Sequence, residues 1–267
     1  MSTEAQASQP HSPVAVVTGA AQGIGRAIAQ GLAAKGYLLA LADLPSKQNE
    51  LQSTVSECIE IQRNVISPGF ISKVLPVFCD VSNESQAEAL VQTAVTELGG
   101  IDVMVANAGI LRRATLLDLT DEDFDQVYAV NVKGLLYCYR AAAREMIPRG
   151  GGRIIGACSG AGTRGAPEVG AYSASKFAVR GLTQTAAREW GKHGITVNTY
   201  APGPVDTDMW NQIGSHLSGW KGAVSVTPTG RITAPEEVAS LVSFLASPAA
   251  RNITGQSIQM NGGLYMD

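Results

Sequence analysis

The sequence predicts an α/β fold: a single domain built on a doubly wound parallel sheet of about seven strands, with helices on both faces. Short apolar runs predict the strands, at residues 14–17, 38–42, 74–79, 101–106, 153–158, 195–200 and 256–260. The runs are continuous rather than alternating, as in strands that are buried on both faces. Helical stretches such as 87–98 and 177–190 separate most of them, and alternation of strand and helix implies parallel strands.

Size and composition agree with one domain. The chain has 267 residues, of which 45% are hydrophobic and 16% charged, and no break in composition divides residues 13–267. We expect residues 1–12 to form a disordered N-terminal tail. The formal charge of −3 includes no basic cluster, no apolar run reaches the roughly 18–20 residues of a membrane span, and no cysteine or histidine has metal-ligand spacing. We therefore expect a cytoplasmic protein whose partner is a small molecule rather than nucleic acid, membrane or metal.

A proline predicts the order of the strands. Pro76 lies inside the third predicted strand, and proline, which cannot donate to a ladder, is tolerated mainly on edge strands or at bulges. In the Rossmann-type order 3-2-1-4-5-6 the third strand is the edge. We therefore predict the order 3-2-1-4-5-6-7, with a loop proline beside a shorter third strand as the alternative.

A glycine-rich turn follows the first strand. Residues 18–25 read TGAAQGIG, and an amphipathic run at 26–35 follows at once. Gly19, Gly23 and Gly25 let the backbone approach a pyrophosphate, and the N-terminus of the next helix presents unpaired N–H groups to its charge. Strand, turn and helix in this order predict a dinucleotide site, although the spacing is GxxxGxG rather than GxGxxG.

An acidic residue predicts which dinucleotide is bound. Asp43 ends the second strand, eighteen residues after Gly25. A carboxylate there accepts hydrogen bonds from the adenosine ribose hydroxyls and repels a 2′-phosphate. Residues 20–22 supply no arginine or lysine for such a phosphate, so the expected cofactor is NAD (NADH). The alternative is that Asp43 is a helix N-cap or a loop acid.

A tyrosine, a lysine and a serine predict the chemistry. Tyr172 and Lys176 are four residues apart and share one face if the segment is helical. Ser159 ends the fifth strand, and ligands of open α/β sheets bind at the carboxyl ends of the strands. Because a free tyrosine has a pKa of about 10, we expect Lys176 to lower the pKa of Tyr172 and make it a general acid/base. Ser159 would hydrogen-bond the substrate oxygen.

In this order along the chain, these residues resemble the classical short-chain dehydrogenase/reductase family. The motifs that carry the resemblance are the glycine turn, Cys79-Asp80-Val81, Asn107-Ala108-Gly109, Asn131, Ser159, Tyr172 with Lys176, Pro202-Gly203 and the closing ITGQSIQMNGG. The resemblance implies an NAD-dependent, homotetrameric oxidoreductase of CH–OH groups with the catalytic tetrad Asn131, Ser159, Tyr172 and Lys176, in which Asn131 holds a water that connects Lys176 to solvent. The expected cofactor contacts are Gly19, Gln22, Gly23, Ile24, Gly25, Asp43, Asp80, Val81, Asn107, Gly109, Tyr172, Lys176, Pro202, Gly203, Val205 and Thr207.

A narrower resemblance concerns the substrate. Several segments of the second half, among them 157–162 and 175–189, resemble the acetoin/diacetyl reductase and 2,3-butanediol dehydrogenase branch, which implies small vicinal ketones reduced with NADH. The expected lid, residues 210–230, looks shorter than in that branch. A bulkier cyclic, terpenoid or polyol secondary alcohol is therefore the alternative, and a non-catalytic NAD-binding sensor is a further one. The expected substrate contacts are Ser159, Tyr172, Glu168, Met209 and Trp210, with Glu168 otherwise an exposed loop acid.

Overall fold

A computed structural model describes residues 12–65, 72–210 and 227–266 of the chain. Within these ranges one sheet of seven parallel strands has the order β3-β2-β1-β4-β5-β6-β7, as predicted. The strands are β1 Val14–Thr18, β2 Leu38–Asp43, β3 Val74–Phe78, β4 Val103–Ala106, β5 Gly152–Ala157, β6 Ile195–Pro202 and β7 Ser257–Met260. The predicted tail and most of the predicted lid, namely residues 1–11 and 211–226, lie outside the described residues.

Helices cover both faces of the sheet. They are α1 Gly23–Ala33, α2 Gln48–Val65, α3 Glu84–Leu98, α4 Asp121–Tyr128, α5 Leu135–Met146, α6 Gly170–Trp190 and α7 Pro235–Ala246. The buried side chains of α3, α5 and α6 pack on one face, and those of α1, α2 and α7 pack on the other. Apolar side chains therefore leave the strands in both directions, which explains why the strand sequences do not alternate. None of the helices in the described ranges is long and apolar enough to cross a membrane.

Pro76 lies on the edge strand, as its chemistry predicts. β3 pairs with β2 alone in the sheet, with Pro76 opposite Leu41. From Leu75 onward β3 alternates between half-buried and exposed side chains, whereas every residue of the inner strand β1 is buried. The alternative of a loop proline beside a shorter strand is wrong, because the ladder runs on through Val77 and Phe78.

The predicted fourth strand begins two residues too early. Asp102 lies before β4, and its carboxylate accepts a 2.7 Å hydrogen bond from the backbone N–H of Val14. The side chain of Asp102 therefore ties the start of β1 to the approach of β4. The apolar run 101–106 could not distinguish this arrangement from a longer strand, because Ile101 is fully buried in the core either way.

Candidate active site

A cleft of about 390 Å³ opens at the carboxyl ends of the strands. Of the residues that the sequence suggested for cofactor binding, the cleft is lined by Gly19, Gln22, Gly23, Ile24, Gly25, Asp43, Asp80, Val81, Asn107, Gly109, Tyr172, Lys176, Pro202 and Thr207. Gly203 and Val205 follow Pro202 along the chain but do not line it. Of the expected substrate contacts, Tyr172 and Met209 line the cleft, whereas Ser159, Glu168 and Trp210 do not. The structure thus brings most predicted residues together at one edge of the sheet.

The glycine turn is shaped so that only backbone occupies it. Gly19 and Gly23 have φ values of 65° and 55°, which favour glycine. A Cβ on Gly25 would overlap the carbonyl oxygen of Gly19, so the turn could not close around a larger residue. α1 then begins at Gly23, where the capping residue Gln22 makes no side-chain hydrogen bond and the first turn holds no acid. The first backbone N–H groups, at the positive end of the helix, are therefore available to bind an anion such as a pyrophosphate.

Asn107 holds the glycine turn in place. Its amide Nδ2 donates to the carbonyl oxygens of Thr18 at 2.8 Å and Gly19 at 3.1 Å. Its Oδ1 accepts a 2.7 Å hydrogen bond from the hydroxyl of Tyr200, which is 1% exposed. The side chain therefore joins the ends of β1, β4 and β6. This bracing role was not evident from the sequence, where Asn107 was expected only to lie beside a cofactor.

Asp43 has a structural contact in addition to its place in the cleft. Its carboxylate accepts hydrogen bonds of 2.9 Å from the backbone N–H groups of Ala21 and Leu44. The residue that caps the following short turn is Leu44, so Asp43 is not a helix N-cap. Asp43 thus fixes the glycine turn against the end of β2 while it lines the cleft.

Lys176 is a buried amine. It lies on α6 and is 3% exposed, and its Nζ donates a 2.9 Å hydrogen bond to the carbonyl oxygen of Ala157. Nζ lies 5.3 Å from the centre of the Tyr172 ring, so the helical spacing places both residues on one face as predicted. Burial lowers the pKa of Lys176 to about 8, because removing the ammonium from water disfavours its charged form.

Tyr172 has a raised pKa rather than a lowered one. Burial is the main cause, the hydrogen bond with the Ser159 side chain opposes it, and the pKa of the phenol is about 12. The sequence led us to expect that a neighbouring cation would lower this pKa. In the structure the loss of water around the phenol raises the pKa instead, so Tyr172 is protonated at neutral pH.

Ser159 lies near the start of the loop between β5 and α6. Its hydroxyl oxygen accepts a 3.2 Å hydrogen bond from the backbone N–H of Ala161 and so caps the short turn Gly160–Gly162. Gly162 is buried, and a Cβ there would press on the Sγ of Cys158 and the backbone of Lys176. The serine therefore stands on a tight turn packed directly onto the helix that carries Tyr172 and Lys176.

Asn131 lies in a π-helical segment, Ala129–Gly134, between α4 and α5. Its Oδ1 accepts a 2.8 Å hydrogen bond from the N–H of Ile110, and its Nδ2 donates to the Ile110 carbonyl at 2.9 Å and to the Ser175 hydroxyl at 3.1 Å. The amide thus links the loop after β4 to α6. Such π-helical turns occur often at functional sites, but nothing in the local sequence predicted this one. The segment ends at Gly134, where a Cβ would lie 2.8 Å from a methyl of Val81, so a larger residue would not fit there.

Glu168 is paired with an arginine and does not line the cleft. It forms an ion pair with Arg113, and its carbonyl oxygen accepts a 2.9 Å hydrogen bond from the N–H of Ala114. Its φ is 63°, the one positive φ among the non-glycine residues that the structure describes. The sequence offered no signal for this pairing, because the partners lie 55 residues apart.

Residues after β6 also line the cleft. Thr207 donates to the carbonyl oxygen of Val205 at 3.3 Å, and its methyl would lie 3.3 Å from a Cβ on Gly23. Met209 lines the cleft, and the indole N–H of Trp210 is buried with no acceptor among the described residues. Over the described parts of the chain, no cluster of three histidine, cysteine or acidic side chains could hold a metal ion.

Comparisons with known proteins agree with this geometry. A family model described as enoyl-(acyl carrier protein) reductase matches residues 19–265. The chain is 46% identical to a short-chain dehydrogenase/reductase of Armillaria gallica, over 98% of this chain and 100% of that one. It is 42% identical to an L-2,3-butanediol dehydrogenase of Corynebacterium glutamicum, over 95% and 98%. Among solved structures, levodione reductase is similar with a TM-score of 0.87 at 31% identity, covering 94% of this chain and 96% of that chain.

Proposed function

The chain belongs to the classical short-chain dehydrogenase/reductase family, and from that premise we propose that it interconverts a small vicinal ketone, such as diacetyl or acetoin, and the corresponding secondary alcohol, with NAD(H) as its cofactor. The family's enzymes are oxidoreductases of CH–OH groups whose Rossmann-type sheet binds a nicotinamide dinucleotide. The observation that carries the proposal is one cleft that is lined both by the glycine turn and by Tyr172 with the buried Lys176. Identity to a butanediol dehydrogenase supports the small vicinal substrate over a bulkier one.

The glycine turn and the residues around it would hold the dinucleotide. The free N–H groups at the start of α1 suit its pyrophosphate. The Asp43 carboxylate would accept hydrogen bonds from the adenosine ribose and would repel a 2′-phosphate, which supports NAD over NADP. A bound nicotinamide supplies the hydride in ketone reduction and accepts it in alcohol oxidation. Gly109 would have to stay small, because a Cβ there would lie 3.6 Å from Lys176 Nζ and 3.3 Å from Asn131 Oδ1.

Tyr172 would transfer the proton. In ketone reduction it donates its phenolic proton to the carbonyl oxygen, and a pKa of about 12 keeps that proton in place at neutral pH. The Ser159 hydroxyl would hydrogen-bond the same substrate oxygen and hold it beside the phenol. In alcohol oxidation Tyr172 takes the proton back, and this direction is favoured at higher pH.

Lys176 would stabilise the phenolate that forms when Tyr172 gives up its proton. Its ammonium is charged below a pH of about 8 and lies 5.3 Å from the Tyr172 ring, in a site where burial strengthens the attraction of opposite charges. We propose that Asn131 keeps a path for water and protons to Lys176. Its position supports this role, because a Cβ added to Gly109 would lie near both the Asn131 amide and the Lys176 amine.

Met209, which lines the cleft, would contact the substrate, and Trp210, which follows it but does not line the cleft, stays a proposed contact. Glu168 would contact the substrate only if its ion pair with Arg113 opens.

We propose a homotetramer in solution. Exposed apolar side chains support an oligomer: Leu117 is 97% exposed before α4, and Phe177 is 46% exposed on α6. Size-exclusion chromatography with light scattering tests this proposal, and a monomeric mass would contradict it.

Steady-state oxidation of NADH tests the proposed substrate. The assay compares kcat/KM for diacetyl with kcat/KM for a bulky cyclic ketone at equal concentrations, with NADPH in parallel. We expect a large preference for diacetyl and for NADH. A preference for the cyclic ketone would contradict the small-ketone proposal. Binding of NADH without turnover of any ketone would indicate a sensor rather than an enzyme.

A further inference from the structure

An aromatic ring from the end of the chain packs against the loop that carries Ser159. Gly160, which directly follows the serine, is buried, and a Cβ there would lie 3.1 Å from two ring carbons of Tyr265. The next nearest atom is the carbonyl oxygen of Pro202, at an ordinary 3.7 Å. Further along the same loop, the Arg164 guanidinium lies over the Tyr265 ring, 4.3 Å from its centre. One ring therefore contacts the loop 159–164 at two points.

The segment that presents this ring is itself fixed to the body of the protein. Asn261 is 6% exposed and donates a 3.0 Å hydrogen bond to the carbonyl oxygen of Tyr265. Its side chain also packs on Gly203, where a Cβ would lie 2.9 Å from the Cβ of Asn261. The carbonyl oxygen of Gly262 accepts a 3.1 Å hydrogen bond from the N–H of Thr229. The closing segment, residues 261–266, thus joins the cofactor-side loop after β6, the chain that follows residue 226 and the loop of Ser159.

We propose that Tyr265 is a positioning residue for Ser159. The ring limits the movement of Gly160 and so fixes the serine hydroxyl beside Tyr172, where the proposed function requires it to hold the substrate oxygen. This inference rests on the proposed function, and it adds to that function a residue more than 90 positions from Tyr172 that does not line the cleft. The same contact favours glycine at position 160, because the Tyr265 ring occupies the space that a side chain would need.

A set of paired variants tests the contact. Tyr265→Ala should lower kcat/KM for diacetyl about tenfold or more, a part of the roughly 10²–10³-fold that loss of one oxyanion donor costs. Tyr265→Phe keeps the ring and should stay within about twofold of the unmodified chain in kcat/KM. Gly160→Ala should also reduce turnover, and adding Tyr265→Ala should recover part of the loss, because the space for the new methyl is then free. Gly165→Ala is the matched control in the same loop, since nothing lies within 4 Å of its Cβ.

A second comparison separates positioning from a general loss of structure. In a Ser159→Ala background Tyr265→Ala should change kcat/KM by no more than about twofold, because it acts through the serine that is already absent. The dissociation constant of NADH, measured by fluorescence, should stay within about twofold for Tyr265→Ala, since Asn261 and Gly203 remain in place.

The outcomes distinguish the two proposals. If the unmodified chain and Gly165→Ala turn over ketone while Tyr265→Ala is as active as they are, the positioning role is wrong and the proposed function stands. An equal loss in the Ser159→Ala background, or an equal loss of NADH affinity, also overturns the positioning role. If neither the unmodified chain nor Gly165→Ala turns over any ketone, the proposed function fails and this inference fails with it.

Discussion

Replacing Lys176 with methionine should make the protein more stable while it abolishes turnover. The amine is 3% exposed, and burial lowers its pKa from 10.5 to about 8. At about 1.4 kcal/mol per unit of pKa, keeping the ammonium charged at pH 7 costs about 3 kcal/mol of folding free energy. Methionine has a similar length and carries no charge, but it loses the hydrogen bond to Ala157, which contributes about 1 kcal/mol. We therefore expect a net gain of about 2 kcal/mol at pH 7.

The sign of this effect depends on pH. Below a pH of about 8 both the folded and the unfolded chain hold the lysine proton, so the full cost of burying the charge is present. Between about 8 and 10.5 the folded chain has lost the proton and the unfolded chain still binds it, so the stability of the lysine protein rises with pH. The advantage of Lys176→Met should therefore be largest at pH 7 and should shrink towards pH 10. Groups remote from Lys176 titrate equally in both proteins and cancel in the difference.

Urea denaturation of both proteins, without added dinucleotide, measures this difference at pH 7 and at pH 10. Lys192→Met is the matched control, because Lys192 is exposed beyond the end of α6, and we expect it to change the free energy of unfolding by less than about 0.5 kcal/mol at either pH. A Lys176→Met protein that is less stable than the unmodified chain at pH 7 would refute the reasoning. So would a difference that is the same at both values of pH.

Three further variants test the cofactor end of the cleft. Asp43→Ser should raise the ratio of NADPH to NADH in kcat/KM by about tenfold or more, because the carboxylate that repels a 2′-phosphate is gone; an unchanged ratio in the steady-state assay would mean that another residue selects the cofactor. Asn107→Ala should lower the free energy of unfolding by about 2–4 kcal/mol in urea, because Gly19 and Tyr200 lose buried hydrogen-bond partners, and a change below 1 kcal/mol would contradict its bracing role. Gly25→Ala should weaken NADH binding about tenfold or more in a fluorescence titration, since its Cβ would overlap the Gly19 carbonyl; unchanged affinity would contradict the proposed pyrophosphate site.

The sheet could be predicted because each of its signals is local. Continuous apolar runs indicate strands that are buried on both faces, and Pro76 indicates an edge strand. Neither inference needs knowledge of residues far away in the chain. Strand ends were less accurate, as at Asp102, because backbone hydrogen bonds continue past the end of the strand: the N–H of Asp102 donates to Val14 and its carbonyl oxygen accepts from Arg153, although β4 begins only at Val103.

The site was predictable where its residues lie close together in the chain. It was not predictable where it depends on contacts between distant parts of the chain. The spacing of Tyr172 and Lys176 follows from helix geometry, and the structure places both on α6. The pKa of Tyr172 was expected to fall and is instead raised, because desolvation depends on packing that no local spacing shows. The Glu168 ion pair with Arg113 and the Tyr265 ring against Gly160 join parts of the chain that only the fold brings together.

The central claim is that Tyr172 exchanges the proton with the substrate, and Tyr172→Phe tests it most directly. The measurement is kcat/KM for diacetyl reduction, with NADH affinity measured on the same protein. We predict that turnover falls about 10²–10⁴-fold, the usual contribution of a general acid/base, while NADH binds as in the unmodified chain. Activity within about tenfold of the unmodified chain would contradict the assignment of Tyr172 as the acid/base.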